Sequence, residues 1–109
     1  METLIWACKP FNELSAKELY SILKLRSEVF VVEQQCVYLD MDGKDQQSFH
    51  LCGYENEVLV AYARILPPGL SYDEASIGRV VTNPTYRKTG AGRSLMKLAI
   101  EKTYTQYDV

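Results

Sequence analysis

Arg87-Lys88-Thr89-Gly90-Ala91-Gly92-Arg93 stands between a strand-like run, Ala75 to Thr82, and an apolar helical pattern at Leu95, Met96, Ala99 and Ile100. The heptad holds three cations and two glycines. Strand, glycine-rich turn and helix together make an anion site. A helix start offers unpaired N–H groups and roughly half a positive charge. Glycine lets the backbone approach a ligand with no side chain in the way. The stretch therefore points to a phosphate-bearing ligand.

The surrounding chain sets this patch off. Its 109 residues suffice for one domain, 1–109, and 47% hydrophobic content is that of a globular protein. The formal net charge is -2, so no global basic footprint for nucleic acid exists. No apolar run approaches the ~20 residues of a membrane helix. The start, Met1-Glu2-Thr3-Leu4-Ile5-Trp6, lacks the basic and apolar regions of a signal peptide. Cys8, Cys36 and Cys52 are odd in number and lack CxxC spacing, which suits reduced thiols in the cytoplasm.

The order expected along the chain is β-α-β-β-β-α. Thr3 to Cys8 reads as a strand ended by Lys9-Pro10. Ser15 and Glu18 form an S-x-x-E capping box, and Leu14 can staple against Leu19. Leu19, Ile22, Leu23 and Phe30 give a helical apolar face over Ala16 to about Phe30, with Arg26 interrupting it. Residues 33–48 form a polar, acidic loop with room for a short helical turn. Ser48 to Glu55 and Glu57 to Leu66 read as a hairpin turning near Glu55-Asn56-Glu57, and Pro67-Pro68-Gly69 ends it. Ala75 to Thr82 is the fourth strand, where Gly78 suggests a bulge or a close backbone approach. The last helix spans about Gly92 to Thr105.

With these segments in order, the sequence resembles the GNAT superfamily of acetyl-CoA-dependent N-acetyltransferases. Arg87-x-x-Gly90-x-Gly92 fits that superfamily's Q/R-x-x-G-x-G/A pyrophosphate signature, between the fourth strand and the next helix. The stretches Arg26-Ser27-Glu28-Val29-Phe30-Val31-Val32-Glu33-Gln34-Gln35-Cys36, Tyr38-x-Asp40-x-Asp42, Ala61 to Pro67 and Ile77 to Val81 are similar to its ElaA-like branch. The resemblance implies an α+β fold of three-layer α/β type with a mixed, mainly antiparallel sheet. It implies CoA or acetyl-CoA as cofactor and direct acetyl transfer to the primary amine of a small molecule or peptide. GNAT domains normally continue past this helix with a fifth strand, another helix and usually two more strands. The 109 residues thus resemble the N-terminal two-thirds of the domain. The remaining third usually carries one wall of the cofactor cleft and, in many members, the tyrosine that protonates the leaving thiolate.

The resemblance assigns the CoA pyrophosphate to Arg87, Lys88, Thr89, Gly90, Ala91, Gly92 and Arg93, through backbone N–H groups and cationic side chains. It assigns the pantetheine amides to backbone groups of Val80, Val81 and Thr82. Transfer to an amine needs the amine deprotonated and placed against the thioester. Glu33 and His50 are the candidate bases; a lone strand histidine suits a structural role as well, and Glu33 suits a solvated loop charge. The fourth strand bears Ser76, Gly78 and Arg79 where many GNAT enzymes carry a glutamate base.

Glu33, Asp40, Asp42 and Asp45 would attract a cationic amine. Asp-x-Asp-Gly also looks like the start of a calcium loop, but no glutamate closes it, so no metal site is assigned. Arg64 and Arg79 lie on strands, where an unpaired charge is costly. Pairing with Asp40 or Asp42 is their first expected role, and substrate binding the second. Cys36 and Cys52 have no adjacent basic partner and read as small buried hydrophobes rather than nucleophiles. Beside the enzyme stand two alternatives. One is a remnant that binds CoA or a protein without turnover. The other is a fragment whose open fourth-strand edge pairs with a second chain, giving a homodimer.

Overall fold

The computed structural model describes residues 4–35, 40–87 and 89–107. Strands β1 (Ile5–Pro10), β2 (Phe49–Glu55), β3 (Val58–Leu66) and β4 (Ser76–Thr82) and helices α1 (Ala16–Arg26) and α2 (Ala91–Tyr107) follow the expected order, β-α-β-β-β-α. The strands form one sheet in the order β1-β2-β3-β4. All three pairings are antiparallel, within the mainly antiparallel α+β class expected.

Three boundaries depart from expectation. The first strand runs past Lys9 to Pro10, which pairs with Phe49. β1 is an edge strand, where proline's missing N–H can face away from the sheet. The first helix does not stop near Phe30. After Arg26 it widens into a π-helical turn, Ser27–Glu33, with Gln34 N–H donating to Val29 O at 3.0 Å. Glu33 therefore ends a helix rather than opening a loop. At the other end α2 runs past Thr105 to Tyr107, whose ring meets Phe49 edge-on at 6.1 Å.

The capping box forms as its spacing predicts. Glu18 N–H donates to Ser15 Oγ at 3.0 Å, and Ser15 N–H donates to Glu18 Oε1 at 2.8 Å. The β2–β3 hairpin turns through Asn56 and Glu57, whose φ angles of 49° and 67° match the twist of a two-residue turn.

Helices cover both faces of the sheet, so β3 is buried from Leu59 to Leu66. Ile22, Leu25 and Val29 pack with Cys52, Leu59, Tyr62 and Val81 on one face. On the other, Leu95 and Ala99 of α2 lie on Leu51, Ala61 and Ala63. The small side chains of this second layer let α2 approach the sheet closely. Gly53 is required sterically, since a Cβ there would lie 2.6 Å from the Trp6 ring.

β4 carries the bulge, one position beyond Gly78. Gly78 pairs with Arg64 and Val81 with Tyr62, so Arg79 and Val80 together oppose Ala63. Arg79 takes the left-handed conformation, φ 51°. Gly78 itself has room for a side chain, with Leu66 Cδ1 at 3.8 Å. From the bulge the Arg79 side chain reaches Asp40.

Candidate active site

Beyond the bulge, two loop segments are tied to the sheet by ions. Arg26 is fully buried. Its NH1 donates to Asp45 Oδ1 at 2.8 Å and its NH2 to the Asp40 carbonyl at 2.9 Å, while Nε lies 3.0 Å from Asp40 Oδ2. Arg64 grips Asp42 with two parallel bonds of 2.8 Å and reaches Asp45 Oδ1 at 3.0 Å. Arg79 donates from Nε to Asp40 Oδ1 at 2.9 Å and from NH2 to the Asp40 carbonyl at 2.9 Å. Three arginines thus meet three aspartates. The negative charge that was expected to draw a cationic amine is balanced within the network.

This electrostatics is visible in the acids. The Arg64 bonds hold the Asp42 carboxyl well below the usual carboxylate range. Burial would raise Asp45, but the bonds from Arg26 and Arg64 outweigh it and hold the group low. Arg64 and Arg79 take their partners from Asp40 and Asp42, as charges on strands require. Arg26 and Asp45 complete the network, and Arg26 also lies over the Tyr62 ring, 5.8 Å from its centroid.

His50 sits in the same buried region. Its Nε2 is 2.8 Å from the Asp45 carbonyl, which can only accept, so Nε2 carries the proton. Nδ1 then accepts from Tyr62 Oη at 2.6 Å. Burial pushes the histidine pKa down, favouring this neutral form. Both ring nitrogens are committed to the protein.

The second region lies at the other end of β4. Pro84–Tyr86 form a 3-10 turn capped by Asn83, whose Oδ1 accepts from Thr85 N–H at 3.0 Å. Tyr86 Oη donates to Glu55 and closes the turn against the β2–β3 hairpin. Thr89 N–H is directed to Tyr86 O at 3.3 Å, and its hydroxyl donates to the same oxygen at 2.7 Å. Gly90 has φ 89°, a conformation that only glycine adopts cheaply. Ser94 N–H donates to Gly90 O at 3.1 Å, closing the first turn of α2. The amides of residues 91–93 therefore fall in the first turn, where a helix has no acceptors for them. A Cβ at Gly92 would have Thr82 Cγ2 at 3.9 Å, so that position is open toward β4. Lys88 lies outside the described residues.

Arg87 and Glu33, 54 positions apart, meet here. Arg87 NH1 donates to Glu33 Oε2 at 3.0 Å and NH2 to Oε1 at 2.5 Å. The pair is exposed to solvent, at 41% and 40% of the side chains. Arg87 holds the Glu33 carboxyl below its ordinary range, which makes it a weaker proton acceptor. Of the backbone groups expected to face a cofactor arm, Val80 is exposed at the bulge, Thr82 is half-buried and Val81 packs in the α1 core.

The thiols do not suit nucleophilic work. Burial raises the Cys52 pKa to about 12 and also raises that of Cys8. Cys36 lies outside the described residues. No helix among the described residues is long and apolar enough to cross a membrane.

Comparisons agree with this architecture. The sequence profile of the acetyltransferase (GNAT) family matches residues 5–106. A UPF0039 protein of Synechocystis is 48% identical over 103 residues, which cover 94% of this chain and 67% of the relative. The crystal structure of Escherichia coli ElaA superimposes with a TM-score of 0.91 at 38% identity, covering 96% of this chain and 72% of that one. An acyl-CoA N-acyltransferase from Pseudomonas aeruginosa gives a TM-score of 0.89 at 41% identity, covering 94% and 72%. By sequence the chain covers 64% of Escherichia coli ElaA, at 42% identity. The chain belongs to the acetyltransferase (GNAT) family, in its ElaA-like branch.

Proposed function

We propose that this fold moves an acetyl group from the CoA thioester to a primary amine by direct transfer. The observation that carries the proposal is the turn between β4 and α2. Gly90 at positive φ, the first-turn amides of residues 91–93 and the adjacent guanidinium of Arg87 make a cradle for a pyrophosphate. Family membership and the likeness to an acyl-CoA N-acyltransferase support CoA as the pyrophosphate's bearer. In this reading Thr89, Gly90, Ala91, Gly92 and Arg93, with Arg87 and Lys88, hold the phosphates. Backbone groups of Val80, Val81 and Thr82, on the edge strand beside the bulge, hold the pantetheine arm. The Arg64 and Arg79 network fixes the bulge, and His50 supports that network rather than abstracting a proton. Of the two candidate bases, Glu33 is the one exposed to solvent, where it is paired with Arg87.

Calorimetry with acetyl-CoA, followed by thiol release with a panel of primary amines, tests this. Micromolar binding and amine-dependent thiol release are expected. Gly90→Asp should abolish binding, because it adds strain and negative charge where the pyrophosphate would lie; unchanged affinity would place the site elsewhere.

One observation favours a second reading, a CoA-binding module without turnover. Both nitrogens of His50 are committed, and Glu33 is clasped by Arg87. Binding of acetyl-CoA without thiol release from any amine would select this reading.

A further inference from the structure

Glu33 and Arg87 have one relationship that neither a catalytic base nor a phosphate cation needs. The two side chains form a two-bonded clasp, Arg87 NH1 to Oε2 at 3.0 Å and NH2 to Oε1 at 2.5 Å. A carboxylate in this geometry presents two oxygens to the guanidinium fork as a phosphate group does. Each partner stays exposed over about two-fifths of its side chain, so the clasp opens without disturbing the core. Glu33 is the last residue of the π-helical turn, and Gln35, two positions on, has φ 53°. Arg87 follows directly on the Pro84–Tyr86 turn, which Asn83 and Tyr86 anchor to the sheet. Both partners are thus held by structured backbone on separate elements.

We infer that Glu33 is a built-in counter-ion standing on Arg87 in place of the cofactor's pyrophosphate, and that the pyrophosphate displaces it. The inference rests on the CoA reading of the glycine turn. It assigns Glu33 a role in ligand selection. An anion that takes Arg87 must outcompete a two-oxygen carboxylate already in place. A diphosphate, with more charge and further amides of the α2 turn to bind, does so. A single carboxylate or halide does not. The exchange also frees the Glu33 carboxylate beside the bound cofactor, where its proton affinity returns toward the ordinary glutamate range.

Titration calorimetry with CoA on four proteins tests this: the wild type, Glu33→Gln, Arg87→Gln and the double variant. Removing the competing charge from an exposed pair should tighten CoA binding by about two- to five-fold. Arg87→Gln should weaken it, and Glu33→Gln should add nothing in the Arg87→Gln background. Inorganic pyrophosphate should show the same ordering. In the wild type, carbon NMR of the Glu33 carboxyl should show its titration moving upward when CoA is bound. Unchanged or weaker CoA binding by Glu33→Gln, with a wild type that binds, overturns the counter-ion role alone. Failure of all four proteins to bind CoA overturns the CoA reading and the inference with it.

Discussion

Arg64 and Asp42 face each other fork to fork, with NH1–Oδ1 and NH2–Oδ2 both at 2.8 Å. Arg64 is fixed on the central strand β3, opposite Gly78 of β4. Asp42 belongs to the loop that follows the first helix, so the bond fastens that loop to the middle of the sheet. On either side of Asp42, Asp40 ties the loop to β4 through Arg79 and Asp45 ties it to α1 through Arg26. The loop and the β4 bulge are therefore one mechanical unit, set by charge pairs rather than by apolar packing.

Asp45 should be the most sensitive acid of that unit. Its Oδ1 accepts from both Arg26 and Arg64, and all three side chains are buried. Asp45→Ala would leave two guanidiniums short of an acceptor inside the protein. A loss of about 3–5 kcal/mol is expected, because an uncompensated buried charge costs far more than the pair contributes. Asp45→Asn keeps the shape and should lose less. Urea unfolding reads both, and Lys24→Ala serves as the contrast. Lys24 pairs with Glu28 in the open, and its removal should change stability by less than about 0.5 kcal/mol.

Acid should unfold the protein in two stages. Burial depresses the pKa of His50 in the fold, while the unfolded value is about 6.5. The unfolded chain binds that proton more readily, so stability is full above about pH 6.5 and declines as pH falls below it. Asp42 is depressed by Arg64, and its unfolded value is about 3.9. Its contribution is present above that pH and is lost as pH falls further, through the folded value. Thermal unfolding from pH 8 to pH 2 should show both declines. His50→Gln should remove the first and keep the second; a persistent decline between pH 6.5 and 5 would assign it to another group.

Much of this was legible in the sequence, and the parts that were not share a cause. The capping box, the Pro67-Pro68-Gly69 stop and the glycine turn act locally, so their elements fall where the residues indicate. Arg64 and Arg79 declared their need for carboxylates because a strand leaves charges little access to water. Arg26 looked like an interruption of an apolar helical face, yet it is the most buried charge of the fold. Its partners come from 14 and 19 positions downstream, a distance that periodicity does not report. The clasp of Arg87 with Glu33 spans 54 positions and was hidden for the same reason. The bulge was misplaced onto Gly78 because glycine is the usual residue for positive φ. Here a non-glycine residue takes that conformation, with its guanidinium bonded to Asp40 and Asp42.

Gly53 should tolerate no side chain. A Cβ would stand 2.6 Å from Trp6 Cζ3 and 2.9 Å from two further ring atoms. The contacts are with the body of an indole packed against the Leu51, Ala61, Ala63, Leu95 and Ala99 cluster, not with a flexible tip. Gly53→Ala should cost about 1–3 kcal/mol as an overpacked site. Its signature should be a shift of Trp6 fluorescence as the ring is displaced. Restored stability in Gly53→Ala/Trp6→Leu would attribute the loss to this one contact.

Arg79 allows strain and anchoring to be separated. Its backbone sits at φ 51°, where a side-chain-bearing residue costs about 1–2 kcal/mol relative to an ordinary conformation. Its guanidinium returns that cost through Asp40 and Asp42. Arg79→Ala removes the anchors and keeps the Cβ that disfavours the conformation. Arg79→Gly removes the anchors and the strain together. Arg79→Gly should therefore be the more stable variant, by about 1 kcal/mol, and should keep the bulge. Arg79→Ala should let β4 relax toward regular pairing with β3, slowing amide exchange at Val80 and Ala63. Equal stability of the two variants, with unchanged exchange at both positions, would mean that the β3–β4 register alone holds the bulge and that the Arg79 side chain is a passenger.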